Sequence, residues 1–472
     1  MQYELIRKTI LKRLVLFLAL SLLSLNAANM VLAAFTDSYT KGGRLEIRTK
    51  IAQDSYGMSS IYLNGVAVLR NDMLGSDIAF TAEKKGFLQN GNQMREAALV
   101  MTDSLYAGFS GLDIIKGSFF SQDACISGKN LAIISEATAK ELYASRDIIG
   151  SDIIISGVRY RIAGVYREKK NLLTFLGNDG KNKVYIPLLS TGNGRNQPLD
   201  TIYIAGETIE KDAFRLHNLE VALSEKLGVF PSEMKISDYY GFQLTIEGIQ
   251  AFCVFCIGLY ILWVAFTGIL KLVKSTYRLI NKSRDSNYLL DAVRDCRYDI
   301  LKAIGLMLLE LGMAVAAFTA IKFTLYLPSS IIPQENIFDL GFYAQKMKEA
   351  LIASNLSVYY YPTRLMTVGN AALATELVLL AVFVVSFMAA LSQIKLLRLH
   401  DNYALGTIAA FAVAIAAALV LSLIFALVCG FAVTIAIKQS IVVIAAAILY
   451  SFRGSLLNNE AVNKSGRAGA EG

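Results

Sequence analysis

Side chains able to do chemistry are scarce in this chain. Only 2 His and 1 Trp occur among 472 residues, which leaves little material for imidazole catalysis or His-based metal sites. Cys253 and Cys256 form a C-x-x-C, the spacing of a redox or metal pair. They lie within AFCVFCIGLYILW, an uncharged apolar run, where they read as small hydrophobes of a membrane helix. The stretch GNDGKNKV lacks both the spacing and the Ser or Thr after Lys that a phosphate-cradling loop needs, so the chain is not its own ATP motor. No serine nucleophile elbow, zinc-type His pair or two-carboxylate signature stands out. The expectation is a non-catalytic membrane subunit with no catalytic residue, cofactor or metal.

What remains is charge in apolar surroundings. Glu310, Glu376 and Lys438 each interrupt a hydrophobic run. At the helical rise per residue, Glu310 lies about 12 Å from the inner end of its span, Glu376 about 7 Å from the outer end of its own, and Lys438 in the outer part of the last. Depth therefore favours an ion pair of Glu376 with Lys438, and leaves Glu310 facing a bundle interior or another subunit. The other reading has Glu376 and Lys438 snorkelling to the outer headgroups. Gly406, Ala410, Ala414 and Ala418 put a small residue at every fourth position, a helix-packing face within the chain or between protomers. Residues 288–302, YLLDAVRDCRYDILK, are amphipathic. Leu289, Ala292, Val293 and Cys296 share one face, while Asp291, Arg294, Asp295, Arg297 and Tyr298 are largely elsewhere. This helix runs on into apolar sequence with no Pro between.

The elements that would carry these residues follow from composition. The chain is 54% hydrophobic and 18% charged, with a mean hydropathy of +0.46, too apolar for a soluble protein of this size. Its net charge of +8 gathers beside apolar segments, where Lys and Arg set membrane orientation, and no nucleic-acid reader motif accompanies it. Arg7, Lys8, Lys12 and Arg13 precede Leu14 to Phe35, about 22 uncharged residues and enough to span. A retained anchor is the expectation, with a cleaved signal peptide as its rival. Residues 36–245 turn polar and alternate strand-like with helix-like runs, an α+β extracytoplasmic domain with a hairpin at Ser156-Gly157. Further spans follow at Ile249–Leu270, Ala303 to about Leu327 and Ala371–Ile394 within a membrane domain 246–400. A transmembrane hairpin over 401–453 turns near Cys429 and Gly430, and the tail 454–472 is small, polar and expected to be disordered. The fold class is thus an α-helical bundle of six spans with a large α+β domain inserted between spans 1 and 2, and both termini cytoplasmic.

One segment resembles a known family. GFSGLDIIKGSFFSQDACISGKNLAIISEATAKELYASRDIIGSDIIISGVRYRIAGVYREKK, followed by KVYIPLL, is similar to the extracytoplasmic core domain of MacB/FtsX-type ABC transporter permeases. The positions that carry it are Gly117, Phe120, Ile133, Ser135, Leu142, Tyr143, Ile149, Gly150, Gly157, Gly164, Val165 and Tyr185 to Pro187, in that order. Residues 289–312 are similar to the family's cytoplasmic helix leading into a core span, including Ile300 and Glu310, though Arg294 stands in a slot usually held by Gly. The hairpin after residue 400 lies outside the family's four-span core. The resemblance implies an ABC ATPase partner, a second permease subunit in a homo- or heterodimer, and contact with membrane lipid. It also implies a mechanism in which ATP hydrolysis elsewhere moves the outside domain, exporting or extracting a small or lipid-like substrate. The alternative is a regulator that activates an extracytoplasmic protein partner such as a cell-wall hydrolase. Under either, 288–302 is the ATPase-coupling helix, and a lipid-surface helix is the plainer reading.

Overall fold

The computed structural model describes residues 2–37, 44–49, 60–73, 75–167, 171–176, 180–206, 216–230, 234–284, 297–320, 339–345, 348, 363–400 and 404–451. The helices are α1 (Gln2–Phe35), α2 (Leu63–Asp72), α3 (Tyr106–Ser110), α4 (Gln122–Ile126), α5 (Glu136–Tyr143), α6 (Leu172–Leu176), α7 (Leu216–Leu227), α8 (Tyr239–Arg284), α9 (Arg297–Ala320), α10 (Arg364–His400) and α11 (Ala404–Cys429). A shorter apolar helix, α12, covers Ile437–Ser451. The strands are β1 (Arg44–Thr49), β2 (Asp77–Asn90), β3 (Gln93–Thr102), β4 (Asp113–Gly117), β5 (Leu131–Ser135), β6 (Asp152–Ile155), β7 (Val158–Arg167), β8 (Lys183–Pro187), β9 (Thr201–Ala205) and β10 (Met234–Asp238). Two compact units result: a helical one (Met1–Ala33, Ile246–Leu325, Ala374–Gly472) and a sheet unit (Ala34–Thr245, Tyr326–Leu373).

The sheet unit is built on one mixed sheet in the order β10-β1-β9-β2-β3-β8-β5-β7-β4, with β6 pairing β2 and β7. The β3–β8 and β5–β7 pairs are parallel and their neighbours antiparallel. Alternation along each strand gives the sheet two unlike faces. Leu45, Ile47, Ile78, Phe80, Ile134, Ile202 and Ile204 lie in an aliphatic core shared with Val66 and Leu69 of α2, Leu142 of α5 and Leu223 of α7. The opposite face carries a smaller cluster with Phe120, Tyr166 and Tyr185. Local signals fix the details. Ser135 caps α5 by accepting from Thr138 N at 3.0 Å. Ser156 and Gly157, at φ 50° and 88°, turn β6 into β7. At Gly117 (φ 72°) an added Cβ would meet Ala163 O at 2.1 Å, so only glycine lets β4 close on β7.

The helical unit packs Leu14, Leu18, Leu22 and Leu25 of α1 against Val254 and Ile261 of α8, Phe383 and Phe387 of α10, Ala410 and Phe411 of α11, and Val442 and Val443 of α12. Among the described residues four helices are long and apolar enough to cross a membrane: Glu4–Phe35, Tyr239–Arg278, Leu365–Leu397 and Gly406–Cys429. α11 ends at Cys429, Gly430 follows at φ 68°, and residues 431–436 are non-helical before α12.

Candidate functional site

The alternation that sends Leu45 and Ile47 into the aliphatic core sends Arg44, Glu46 and Arg48 to the other face of β1. All three charges are buried, Glu46 at 0% exposed and Arg48 at 3%. Charged side chains reach such burial when they are paired and hydrogen-bonded. Arg48 Nε lies 2.9 Å from Glu46 Oε1. Glu46 Oε2 accepts from Tyr239 Oη at 2.8 Å and from Thr363 Oγ1 at 3.0 Å. Arg44 donates to the carbonyls of Gly108 (2.7 Å) and Phe109 (3.1 Å), and its guanidinium lies 5.4 Å from the Phe109 ring centroid. From there an aromatic row crosses the same face through Tyr203, Tyr106, Tyr185 and Tyr166, each ring within 6 Å of the next.

The partners of Glu46 sit where two long helices begin. Tyr239 is the first residue of α8, whose N-terminus Asp238 caps by accepting from Tyr240 N and Gly241 N at 3.0 Å. Thr363 precedes α10 and accepts from Met366 N at 3.2 Å, while Arg48 reaches Met366 Sδ at 3.2 Å. A third helix end joins them. Phe35, the last residue of α1, packs edge-on to Phe242 with centroids 6.0 Å apart. A Cβ on Gly369 would come within 3.3 Å of Phe242 and 3.6 Å of Phe35, so the missing side chain is what admits both rings. Within the sheet unit, one carboxylate therefore ties a strand to the opening residues of two long helices, and three aromatic or glycine positions bring the three helix ends together.

Electrostatics at this node are opposed rather than relaxed. Burial pushes the Glu46 carboxyl above its ordinary value, against Arg48 and the hydrogen bonds from Tyr239 and Thr363, which hold it down. Lys235, opposite Arg48 on β10, is pushed below its ordinary value by burial and by that guanidinium. Two cations and one carboxylate share the site, so removing the carboxylate would leave like charges facing each other. Among the described residues no group of three or more His, Cys, Asp and Glu could hold a metal ion. The arrangement can hold elements in register.

The residues singled out from sequence fall elsewhere. Leu289, Asp291, Ala292, Val293, Arg294, Asp295 and Cys296 lie outside the described residues. Arg297 and Tyr298 open α9, with Tyr298 exposed and the Arg297 guanidinium 5.1 Å from its ring centroid. Glu310 is buried inside the helical unit, its carboxylate so close to Gly268 of α8 that a Cβ there would lie 2.5 Å away. The expected ion pair of Glu376 with Lys438 does not form. Glu376 is 0% exposed with neither carboxyl oxygen hydrogen-bonded, whereas Lys438 is exposed in the first turn of α12. Rise per residue fixes depth along a helix but not rotation about its axis, so depth alone does not make a pair. Ala410, Ala414 and Ala418 are buried against neighbouring helices of the same chain, while nothing lies within 4 Å of a Cβ on Gly406. Cys253 and Cys256 are free thiols.

Contacts that sequence reading missed are polar. Asn26 of α1 donates to Ser422 Oγ at 3.3 Å and accepts from Ala436 N at 3.1 Å, and Asn29 donates to Thr434 O at 3.4 Å. They serve the non-helical stretch before α12, whose backbone lacks helical partners.

Residues 15–216 match the family model of the MacB-like periplasmic core domain. The matched stretch is less than half of the chain. Over 121 residues, 26% of the chain, it is 30% identical to the macrolide export ATP-binding/permease protein MacB of Vibrio parahaemolyticus, and it spans 18% of that protein's length. Two solved structures are similar in part. The periplasmic region of MacB from Actinobacillus actinomycetemcomitans is 16% identical with a TM-score of 0.37, covering 45% of this chain and 95% of its own. The extracellular domain of the ABC-type transporter YknZ from Gram-positive bacteria is 16% identical with a TM-score of 0.34, covering 41% and 99%. The resemblance to MacB/FtsX-type ABC transporter permeases stands on these matches. Four described helices are long and apolar enough to cross a membrane, and the stretch 15–216 that matches a periplasmic core domain contains most of the sheet unit.

Proposed function

We propose that this chain is the permease subunit of an ABC transporter that works by mechanotransmission: a separate ATPase subunit hydrolyses ATP in the cytoplasm, the spans move, and the MacB-like domain changes shape outside. The observation that supports this most is the Glu46 node, because a strand fastened to the opening residues of α8 and α10 has no freedom to ignore their displacement. Six spans are part of the reading, with α9 and α12 added to the four long apolar helices and both termini inside. So are the divisions 1–35, 36–245, 246–400, 401–453 and 454–472, with 288–302 as the helix seated in the ATPase. In this reading a dimer of such subunits in lipid exports or extracts a small or lipid-like substrate; the name of the Vibrio relative gives macrolide export for that protein.

The deciding experiment pairs two variants in membranes that also hold the ATPase. Reversing Arg294 and Arg297 to Glu abolishes co-purification of the ATPase, whereas Glu46→Gln preserves co-purification but lowers transport per ATP hydrolysed. Unchanged co-purification in the first variant rejects the coupling helix, and unchanged coupling in the second rejects the node. A cell-wall hydrolase captured on residues 36–245, with no transported molecule, converts the reading to the regulator.

A further inference from the structure

Glu376 lies within the span Leu365–Leu397, is 0% exposed, and has no hydrogen-bond partner on either carboxyl oxygen. Among the described residues no charged side chain acts on it from a neighbouring element. On α12, Lys438 is exposed and makes no ion pair with it. On α8 the titratable group within electrostatic reach is Cys253, one turn from Gln250, which is 1% exposed and donates to Gln439 of α12 at 3.4 Å. Along α10 itself the next inward positions, Leu380 and Phe383, belong to the apolar core. A carboxylate here would give up its hydration and gain neither a cation nor a hydrogen bond in return.

We propose that Glu376 is a proton-binding site: its ligand is H⁺, and the neutral acid is the form that packs inside the bundle. The step is a proton transfer from hydronium to the carboxylate: an O–H bond of the donor breaks, an O–H bond forms on the carboxyl, water departs, and no oxidation state changes. A metal cation fits poorly, because such an ion asks for several oxygen ligands, and the nearby amides of Gln250 and Gln439 are bonded to each other. The inference rests on α10 spanning a membrane and is independent of ATPase coupling.

Infrared difference spectroscopy of the purified full-length protein, wild type against Glu376→Gln, provides the test. The expected result is a protonated-carboxyl carbonyl band at neutral pH in the wild type that is missing from the variant and shifts on deuterium exchange. Dicyclohexylcarbodiimide, which adds to protonated carboxyls in apolar settings, should label the peptide containing Glu376, with labelling that falls as pH rises. Glu376→Gln mimics the protonated acid and should keep the wild-type thermal midpoint. A missing band overturns the proposal. So does labelling that sodium blocks at constant pH, or a variant that loses its midpoint or fails to fold.

Discussion

Glu46 and Glu376 are both glutamates with no exposed surface, and they are buried in opposite ways. Glu46 arrives with an arginine and two hydroxyl donors drawn from three elements of the sheet unit. Glu376 arrives in the helical unit with none. A buried carboxylate with an arginine beside one oxygen and two hydroxyls on the other fixes the elements that meet it, because each departure strands a charge. A buried carboxyl that meets nothing fixes no neighbour, and its chemistry is that of a weak acid in an apolar medium. The two together show that burial of an ionisable group is not by itself a function; the partner list decides.

That contrast is broken most directly at Glu46. Glu46→Ala leaves the buried Arg48 facing the half-buried Lys235 without the carboxylate and should cost about 3–5 kcal/mol, read as a large drop in the unfolding midpoint of the purified protein. Combining Glu46→Leu with Arg48→Met should cost less than the sum of the single changes, since both members of the buried pair are removed together. Additive losses would mean that the pair is not the unit. Next in size is Thr363→Ala, which removes both a donor to Glu46 and the cap on Met366 N, and should cost about 1–2 kcal/mol, with Thr363→Ser restoring most of it in the same melt.

The smallest effect sharpens the comparison with a third glutamate. Glu136 is held near 2, against an ordinary 4.5, by Arg167 first and then Lys140, with Arg146 also in contact. Its folded value is depressed, so its contribution is complete above 4.5 and is lost as pH falls towards 2. Glu46 is raised above 4.5, so the folded state takes up its proton first, and acidification towards 4.5 does not weaken the fold through this group. A melt series over pH should therefore show a shallow acid-side loss that Glu136→Gln removes and Glu46→Gln does not.

Much of this architecture could be read from local pattern. The uncharged lengths marked α1, α8, α10 and α11, and Ser156-Gly157 marked its hairpin, because each signal is complete within a few neighbouring residues. The node was not legible. In RLEIRT the alternation already places Arg44, Glu46 and Arg48 on one face, a signal for an internal ion pair, but Tyr239 and Thr363 lie 193 and 317 positions away. Asn26 looked like one polar residue in a span, and its backbone partner is 410 positions distant. Glu376 and Lys438 failed for another reason: matching heights on two helices say nothing about which way each side chain is turned.

Asp238 closes β10 and caps α8, so strand passes into helix without a spare residue between them. There is no slack at that joint to absorb a twist. One residue inserted after Asp238 would advance the helix phase by about 100° and swing Tyr239 away from the carboxylate it now touches. The length of the junction, as much as its chemistry, keeps Tyr239 keyed to Glu46.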